Sequence, residues 1–569
     1  MKSEIEEFAR KYALQNAVSF NGRADSKAVI GKVIAEFKQK GISPKDVVPI
    51  VNEIVKKVNS LSLKQQISEL EKSAPELLRK EKKERDFSLP ELPFAEKGEV
   101  ITRFPPEPNG YLHIGHAKAV IIDYEYAKKY DGKFILRFDD TNPENAKIEF
   151  YDAQKEDLKW LGIEWDFEYN TSDNLEKHYK LAEQLINQGD AYICKCSSDV
   201  IKEGRFHSKA CSCRERSCGE TIDLWRDLIK GDLEGAILRL HGEMGSDNTA
   251  MRDPTLFRVI ETEHPLQGTK YRVWPTYDFA GAVEDSVSGV THPFRTKEYE
   301  LRDPVYFRIL SLLNLRKPNL MEFSRLSITG MPVSKRKIKP LIDQGLVSGY
   351  DDVRLPTLKG LKRRGIIADA IKQFVFTQGI SKVESSVDFS VVEAINRKLL
   401  DSKVKRLYFV PEPVKLKVEN ASNKNVKLEL HPSGNLGART IKTSSIFYIP
   451  SNDVKNLKLG DLFRLKGLYN VKILKTGKEI LGEYSGEELI SDSLKIQWTT
   501  EKNVKLKIIV PRLIFENDSY NPDSLKEIEG YAEEYISQIK NDEIVQFERV
   551  GFVRIEKQKD GIIGYFAHK

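Results

Sequence analysis

Hydrophobic positions recur at helical spacing through the start of the chain. Val29, Ile30, Val33, Ile34 and Phe37 follow Ser26-Lys27-Ala28, and Val47, Ile50, Val51, Ile54, Val55 and Val58 repeat the pattern after a Gly41-Ile42-Ser43-Pro44 break. Residues 1–95 are predicted to be a helical appendage, ending in a charged tether, Arg79-Lys80-Glu81-Lys82-Lys83-Glu84-Arg85-Asp86, with Pro90 and Pro93 beyond it. From Glu99 the texture changes. Val100–Phe104 is a strand candidate, a Pro/Gly loop follows, a helical pattern runs from about Gly115 to Lys129, and Lys133–Phe138 is a second strand. Strand, loop, helix, strand in that order predicts a right-handed crossover in a parallel, doubly wound sheet. Past a helical stretch at Ser390–Leu400, short β-rich segments at Val404–Val410, Val426–Leu430, Ser445–Ile449 and Val504–Val510 predict barrel or sandwich domains.

A chain of 569 residues exceeds one hydrophobic core, so three to five domains are expected. No apolar run approaches the roughly 20 residues that span a bilayer, and the N-terminus lacks a signal-peptide core. A cytoplasmic protein with no membrane partner is the expectation. Lys and Arg exceed Asp and Glu by 91 to 85, a net of +6, which neither demands nor excludes a polyanionic ligand. Cysteine says more. All five lie between Cys194 and Cys218, and the two Cys-x-Cys pairs, Cys194/Cys196 and Cys211/Cys213, suit a closed tetrahedral Zn2+ of structural type. Cys218 and His207 are alternative ligands, and reduced unliganded thiols are the plain alternative.

The densest chemistry lies in Arg103-Phe104-Pro105-Pro106-Glu107-Pro108-Asn109-Gly110-Tyr111-Leu112-His113-Ile114-Gly115-His116, between a predicted strand and a predicted helix. Gly110 lets the loop turn, and Gly115 lacks a Cβ where backbone must approach a ligand. His113 and His116 share a face of the first helical turn, beside free N–H groups and the positive end of the dipole, an anion site. Alone, His-x-x-His is a common structural pair. With its whole lead-in the segment resembles the HIGH signature of class I aminoacyl-tRNA synthetases, in the form of the glutamyl/glutaminyl branch. Met331-Pro332-Val333-Ser334-Lys335-Arg336-Lys337 is similar to the second signature, the KMSKS loop. Val stands for the usual Met and Arg336 for the final Ser.

The resemblance implies a Rossmann-type α/β catalytic domain that uses ATP and Mg2+. It assigns His113, His116 and Lys335 to catalysis by phosphate stabilisation. Around the nucleotide it places Glu107, Pro108, Asn109, Gly115, Thr296, Arg325, Leu326, Val333 and Ser334. Asp139, in Arg137-Phe138-Asp139-Asp140-Thr141-Asn142-Pro143, matches the residue that holds the substrate ammonium, while Asp140 or Asn142 fits a helix cap better. Tyr277 matches the second substrate wall. In Thr291-His292-Pro293-Phe294-Arg295-Thr296 the specificity position is Arg295, where glutaminyl enzymes carry an uncharged residue, typically cysteine. A guanidinium there favours the γ-carboxylate of L-glutamate, with Arg103 a second positive contact. The reading of Arg295 as a phosphate or tRNA contact stays open.

The same resemblance divides the chain: 1–95 appendage, 96–192 first catalytic half, 193–272 insertion for the tRNA acceptor end with its zinc knuckle, 273–328 second catalytic half, 329–395 KMSKS-like loop and helical connector, and 396–569 β-barrel anticodon-binding region. Basic Lys359, Lys362, Arg363 and Arg364 would meet tRNA phosphates. The β-rich end points to the archaeal/eukaryotic subtype, since bacterial-type glutamyl enzymes have a helical anticodon domain. Partners are then tRNA(Glu), with tRNA(Gln) left open, and RNA or a protein for the appendage. A glutaminyl enzyme and a non-catalytic tRNA-binding scaffold are the rivals.

Overall fold

The computed structural model describes residues 2–20, 22–37, 44–74, 77, 89–455, 457–490, 493–517 and 519–569. The chain forms two compact units, Met1–Phe87 and Ser88–Lys569. In the first, the predicted periodicity becomes four helices, α1 (Lys2–Ser19), α2 (Ser26–Phe37), α3 (Pro44–Asn59) and α4 (Leu63–Ser73). Val29, Val33 and Phe37 meet Val47, Val51, Val55 and Val58 in one core with Ile5, Ala9 and Ala13 of α1. A single amide ties the bundle: buried Gln66 donates through Nε2 to the carbonyls of Gly22 and Val58 at 2.9 Å and of Leu61 at 3.1 Å. The break at Gly41–Ser43 and the tether at Arg79–Asp86 lie outside the described residues.

The second unit opens with β1 (Ile101–Phe104), α5 (Ile114–Lys129), β2 (Lys133–Phe138), α6 (Ile148–Trp160) and β3 (Phe167–Asn170). The three strands are parallel with β2 in the middle. Phe134 to Phe138 are all buried, as a parallel strand covered on both faces requires. The turn into β2 admits only glycine, because a Cβ on Gly132 would come within 2.0 Å of the Val100 carbonyl oxygen. An antiparallel sheet interrupts the domain. Helix α7 (Leu175–Gln188), strand β4 (Ala191–Cys194), helix α9 (Cys218–Lys230), and strands β5 (Ile237–Leu240), β6 (Thr255–Val259) and β7 (Val273–Pro275) surround Trp225, Phe257 and Trp274, while helix α8 (Ser198–Phe206), between β4 and α9, buries none of its residues.

The chain returns through α10 (Tyr277–Val287), β8 (Phe294–Thr296), α11 (Asp303–Leu312), β9 (Met321–Phe323) and β10 (Leu326–Ile328). A buried carboxylate locks the two halves. Asp285 of α10 accepts from Arg103 Nε of β1 at 2.9 Å, from Arg137 Nη1 of β2 at 2.8 Å and from the Tyr306 hydroxyl of α11 at 3.2 Å. Burial alone would raise its pKa, but the two guanidiniums outweigh burial and hold it below the ordinary carboxylate value.

A helical connector follows: α12 (Lys335–Asp343), α13 (Leu358–Arg364), α14 (Ala368–Gln378), the short β11 (Ser385–Val387) and α15 (Ser390–Leu400). Thr357 caps α13 by accepting from the Gly360 N–H at 3.0 Å. The remaining chain forms two seven-stranded, near-barrel sheets, one from residues 413–500 and one from 406–411 with 503–568. The strand expected at Val404–Val410 is instead two, Arg406–Leu407 and Phe409–Pro411. The Tyr408 N–H between them leaves the ladder to donate to the Glu533 carboxylate at 2.8 Å. A loop of the second sheet reaches back to the connector, where Ile514 joins Ile338 and Leu341 of α12 in one small core. Among the described residues no helix is long and apolar enough to cross a membrane.

Replacing Asp285 with Asn leaves the buried Arg103 without its counter-charge and Arg137 with Asp139 alone. The expected loss is about 3–5 kcal/mol of stability, read as a lower denaturant midpoint of the full chain.

Candidate active site

The first turn of α5 is built by its own histidines. His113 is the N-cap, and its Nδ1 accepts from the Gly115 N–H at 3.1 Å, while His116 Nδ1 accepts from the His113 N–H at 3.2 Å. Two orphan donors of the helix end are thus satisfied by imidazoles rather than by hydroxyl or carboxylate. Accepting at Nδ1 leaves the proton of each neutral ring on Nε2. The rings stack with centroids 3.8 Å apart. Burial, with His116 and Arg325 nearby, pushes His113 well below 6.5; burial and Arg325 bring His116 to about 4. Both are neutral donors at pH 7.

Gly115 has a different reason from the one expected. A Cβ there would lie 2.9 Å from His113 Cε1 and 3.3 Å from Val333 Cγ1, so the space belongs to the capping ring and to the KMSKS-like loop rather than to a ligand. That loop is therefore in contact with the start of α5. The nearest atom to a Cβ on Gly110 would be Lys335 Cδ, at 3.7 Å. Segment 356–358 closes the other side: the Ile114 N–H donates to the Pro356 carbonyl and the Leu358 N–H to that of Leu112, each at 2.9 Å.

Glu107, Asn109, His113, His116 and Lys335 line one cavity of about 140 Å³, with Gln154 and Tyr350. Lys335 also faces a second cavity of about 910 Å³ with Arg325, Leu326, Val333 and Ser334. Glu107 also faces a third of about 470 Å³ with Tyr277 and Tyr299. Glu107 and Lys335 thus connect three spaces. Burial pushes the Glu107 carboxyl up and lowers Lys335, which also feels Glu107 beside it and the like charges of Lys339 and Lys147. Such an arrangement can take a polyanion along the α5 terminus and Lys335, with room for a base beside Arg325 and Leu326.

Asp139 follows β2 and is fixed by three groups. It accepts from Arg137 Nε at 2.8 Å and the Thr171 hydroxyl at 2.9 Å, and its N–H donates to the Pro106 carbonyl at 3.0 Å. Asp140 caps no helix after Pro143; it accepts from the Ser172 N–H and hydroxyl at 2.8 Å and from Tyr151 at 2.9 Å. Arg103 lines none of the three cavities. Its three nitrogens are engaged by Asp285 and by the Phe294 carbonyl, the latter at 2.7 Å. Arg295 is 7% exposed and also outside the three cavities; it lies over the Tyr306 ring with Asp303 as its ion-pair partner. Thr296 stands at the start of the turn after β8 without a side-chain capping bond, and Pro108 offers its carbonyl to the Lys147 N–H at 3.1 Å; neither lines these cavities.

Two residues had no mark in the sequence. Gln154, mid-way along α6, donates to the carbonyls of Glu107 at 3.0 Å and Gly110 at 2.8 Å and so shapes the phosphate-side loop. Lys118 donates to the Ser324 carbonyl at 2.6 Å, pinning the corner that carries Arg325.

The cysteine pairs come together. The Sγ atoms of Cys194, Cys196, Cys211 and Cys213 lie within 4.8 Å of one another, with Cys194–Cys211 at 3.8 Å and Cys196–Cys213 at 3.9 Å. A zinc with sulfur ligands at about 2.3 Å has tetrahedral edges of about 3.8 Å, so the donors fit. Cys218, exposed at the start of α9, and His207, after α8, are outside the cluster.

Parallel strands, a histidine-capped helix and a lysine from a distant loop share one cleft, the layout of a nucleotide-using α/β enzyme. Residues 99–402 match the family described as tRNA synthetases class I (E and Q), catalytic domain, and residues 404–485 and 495–556 match the two anti-codon binding domains of that group. The chain belongs to the class I glutamyl- and glutaminyl-tRNA synthetase family and is an aminoacyl-tRNA ligase, which implies ATP and Mg2+. It is 45% identical to the glutamate–tRNA ligase of Nitrosopumilus maritimus (strain SCM1), with 100% of both chains covered. It is 42% identical to the enzyme of that name from Cenarchaeum symbiosum (strain A), with 98% of each covered, and 40% identical to that from Pyrococcus furiosus, with 100% of each covered.

Acid stability reads the histidine cap. The folded chain protonates His116 only near 4, whereas the unfolded chain does so near 6.5. The unfolded state therefore gains protons first, and stability falls as pH drops from 6.5 to 4. His116→Asn is expected to remove on the order of 3 kcal/mol of that acid sensitivity, measured as the difference between denaturant midpoints at pH 7 and pH 4.

Proposed function

We propose that this enzyme is a glutamate–tRNA ligase. It activates L-glutamate with Mg-ATP, releasing pyrophosphate, and passes the glutamyl group from the adenylate to the 3′-terminal adenosine of tRNA(Glu) for protein synthesis. One observation carries the reading: His113, His116 and Lys335, far apart in sequence, line a single cavity at the carboxyl edge of a parallel sheet. The full-length likeness to archaeal proteins of that name supports it.

In this reading the Nε2–H groups of His113 and His116 donate to phosphate oxygens, and the Lys335 ammonium follows the β,γ-phosphates as they leave. Arg325 and Leu326 flank the adenosine, with Glu107, Asn109, Val333 and Ser334 around it. Asp139, already oriented by Arg137 and Thr171, receives the glutamate ammonium, and Tyr277 walls the pocket. Arg295 meets the γ-carboxylate, and Arg103 supports the pocket from behind through Asp285. Positioning and electrostatics supply the acceleration, and no side chain forms a covalent intermediate.

Lys335→Ala is expected to slow tRNA-dependent pyrophosphate exchange by about 10²–10³-fold with the fold retained. Arg295→Cys is expected to raise the KM for glutamate far more than that for ATP. Aminoacylation with both amino acids and with tRNA(Glu) and tRNA(Gln) checks substrate choice; unchanged glutamate kinetics in Arg295→Cys would remove the specificity assignment.

The four clustered cysteines would hold a zinc whose contribution is structural, pinning the loop after β4, since four thiolates leave no open position. Arg239 Nη1 faces Cys194 and Cys211 at 3.9 Å and offsets the thiolate charge. The purified chain is expected to hold one zinc, and Cys213→Ser to lose it, with metal content measured by atomic absorption and cleavage within 193–272 by limited proteolysis.

A further inference from the structure

Arg295 leaves a three-residue strand, β8, whose parallel partner β9 sets it opposite Glu322. Its guanidinium then crosses to α11. There the aromatic ring of Tyr306 lies 5.0 Å below it and Asp303 takes its Nη2. Its Nε, although buried, has no hydrogen-bond partner. Asp303 opens α11 with Pro304 behind it, a residue pre-set for the first helical turn. Asp303 and Tyr306 are three positions apart and so share one face of the helix. That face offers a carboxylate at one edge of the guanidinium and a ring against its plane. Tyr306 is itself held, because its hydroxyl donates to Asp285. Glu322, the other acid nearby, is engaged by Lys382, lies against the Asp303 carboxyl, and makes no ion pair with Arg295 among the described residues.

An arginine carries a long flexible stem, and two-point recognition of a carboxylate needs its plane fixed. An unheld side chain would lose its rotamer freedom on each binding event. A cradle that binds one nitrogen and one face leaves the rest of the fork available. The orphaned Nε is sealed from solvent, so the donors left toward a ligand are those on Nη1, which makes no hydrogen bond among the described residues.

We propose that Asp303 is a specificity-determining positioning residue: with Tyr306 it fixes the plane of Arg295 so that the remaining donors meet the acidic side chain of the substrate. This rests on the reading of Arg295 as the partner of the glutamate γ-carboxylate.

The test is steady-state aminoacylation of tRNA(Glu) by full-length Asp303→Asn, Asp303→Glu, Arg295→Gln and the Arg295→Gln/Asp303→Asn double variant, with KM for glutamate and for ATP measured separately. Asp303→Asn is expected to raise the glutamate KM on the order of tenfold to a hundredfold, to leave the ATP KM within about twofold, and to be partly restored by Asp303→Glu. The double variant is expected to be no worse than Arg295→Gln alone, since both changes remove one interaction. Should Arg295→Gln raise the glutamate KM while Asp303→Asn leaves it unchanged or lowers it, the proposal fails and the pocket reading stands. Should Arg295→Gln leave the glutamate KM unaltered, both fall. A parallel rise of both KM values in Asp303→Asn, with the double variant worse than either single one, marks a merely structural residue and also overturns the proposal.

Discussion

A carboxylate between two arginines is the contact on which the catalytic domain is assembled. Arg103 and Arg137 stand on adjacent strands of one parallel sheet, both buried, and their charges repel unless a shared anion lies between them. Asp285 is that anion, and it arrives from a helix that follows the whole inserted sheet. Its neighbour Glu284 turns the other way along α10, accepting from Asn174 at 3.1 Å and meeting His178 at 2.7 Å. Successive residues of a helix point about 100° apart. Two adjacent acids on α10 therefore hold strands β1 and β2 on one side and the start of α7 on the other. Arg137 then passes the constraint on to Asp139, so the orientation of that carboxylate depends on the same network.

The phosphate side is held differently, by packing and backbone. The capping ring of His113 and the Val333 side chain both lie against Gly115, so the loop before Lys335 rests on the first turn of α5. Beyond Lys335, helix α12 buries Ile338 and Leu341 against Ile514, and the Phe515 N–H donates to the Gly330 carbonyl at 3.2 Å. Lys335 is positioned by residues from both the early sheet and the late one. A further tie is Arg354, which is engaged by Asp352 and donates to the Ser524 hydroxyl at 3.0 Å.

What the sequence disclosed follows from the range of each interaction. Periodic burial is local, so α2, α3, α5, β2 and α15 were legible, β2 and α15 to the residue. The His113 and Lys335 loops were legible because their chemistry is concentrated in a few consecutive residues. The cysteine cluster was legible because thiolate pairs at that spacing have few other uses. The charge network was not. Arg103 and Asp285 are 182 residues apart, and nothing near either one marks it as half of a buried pair. For the same reason Arg103 was expected at the substrate and is found committed to Asp285. Arg295 stood out by its place in the motif, whereas its ion-pair partner Asp303 looks like an ordinary first-turn helix acid.

The neutrality of the histidine pair follows from the geometry that places it. Two cationic rings 3.8 Å apart would repel by about 4 kcal/mol at an effective dielectric of 20, beside Arg325 and at the positive end of α5. Protonation would also require each Nδ1 to give up the backbone N–H it accepts, undoing the cap that starts the helix. A cleft built this way cannot take its positive charge from the imidazoles. They supply fixed, uncharged donors, and formal charge has to come from elsewhere. Lys335 and Arg325 both come from a segment far from the cap in sequence, and Lys335 is the one that lines the histidine cavity. Dividing the work between a neutral pair that also holds the helix and a lysine brought in from a separate segment meets both demands: the cap stays intact, and an anion still finds a cation.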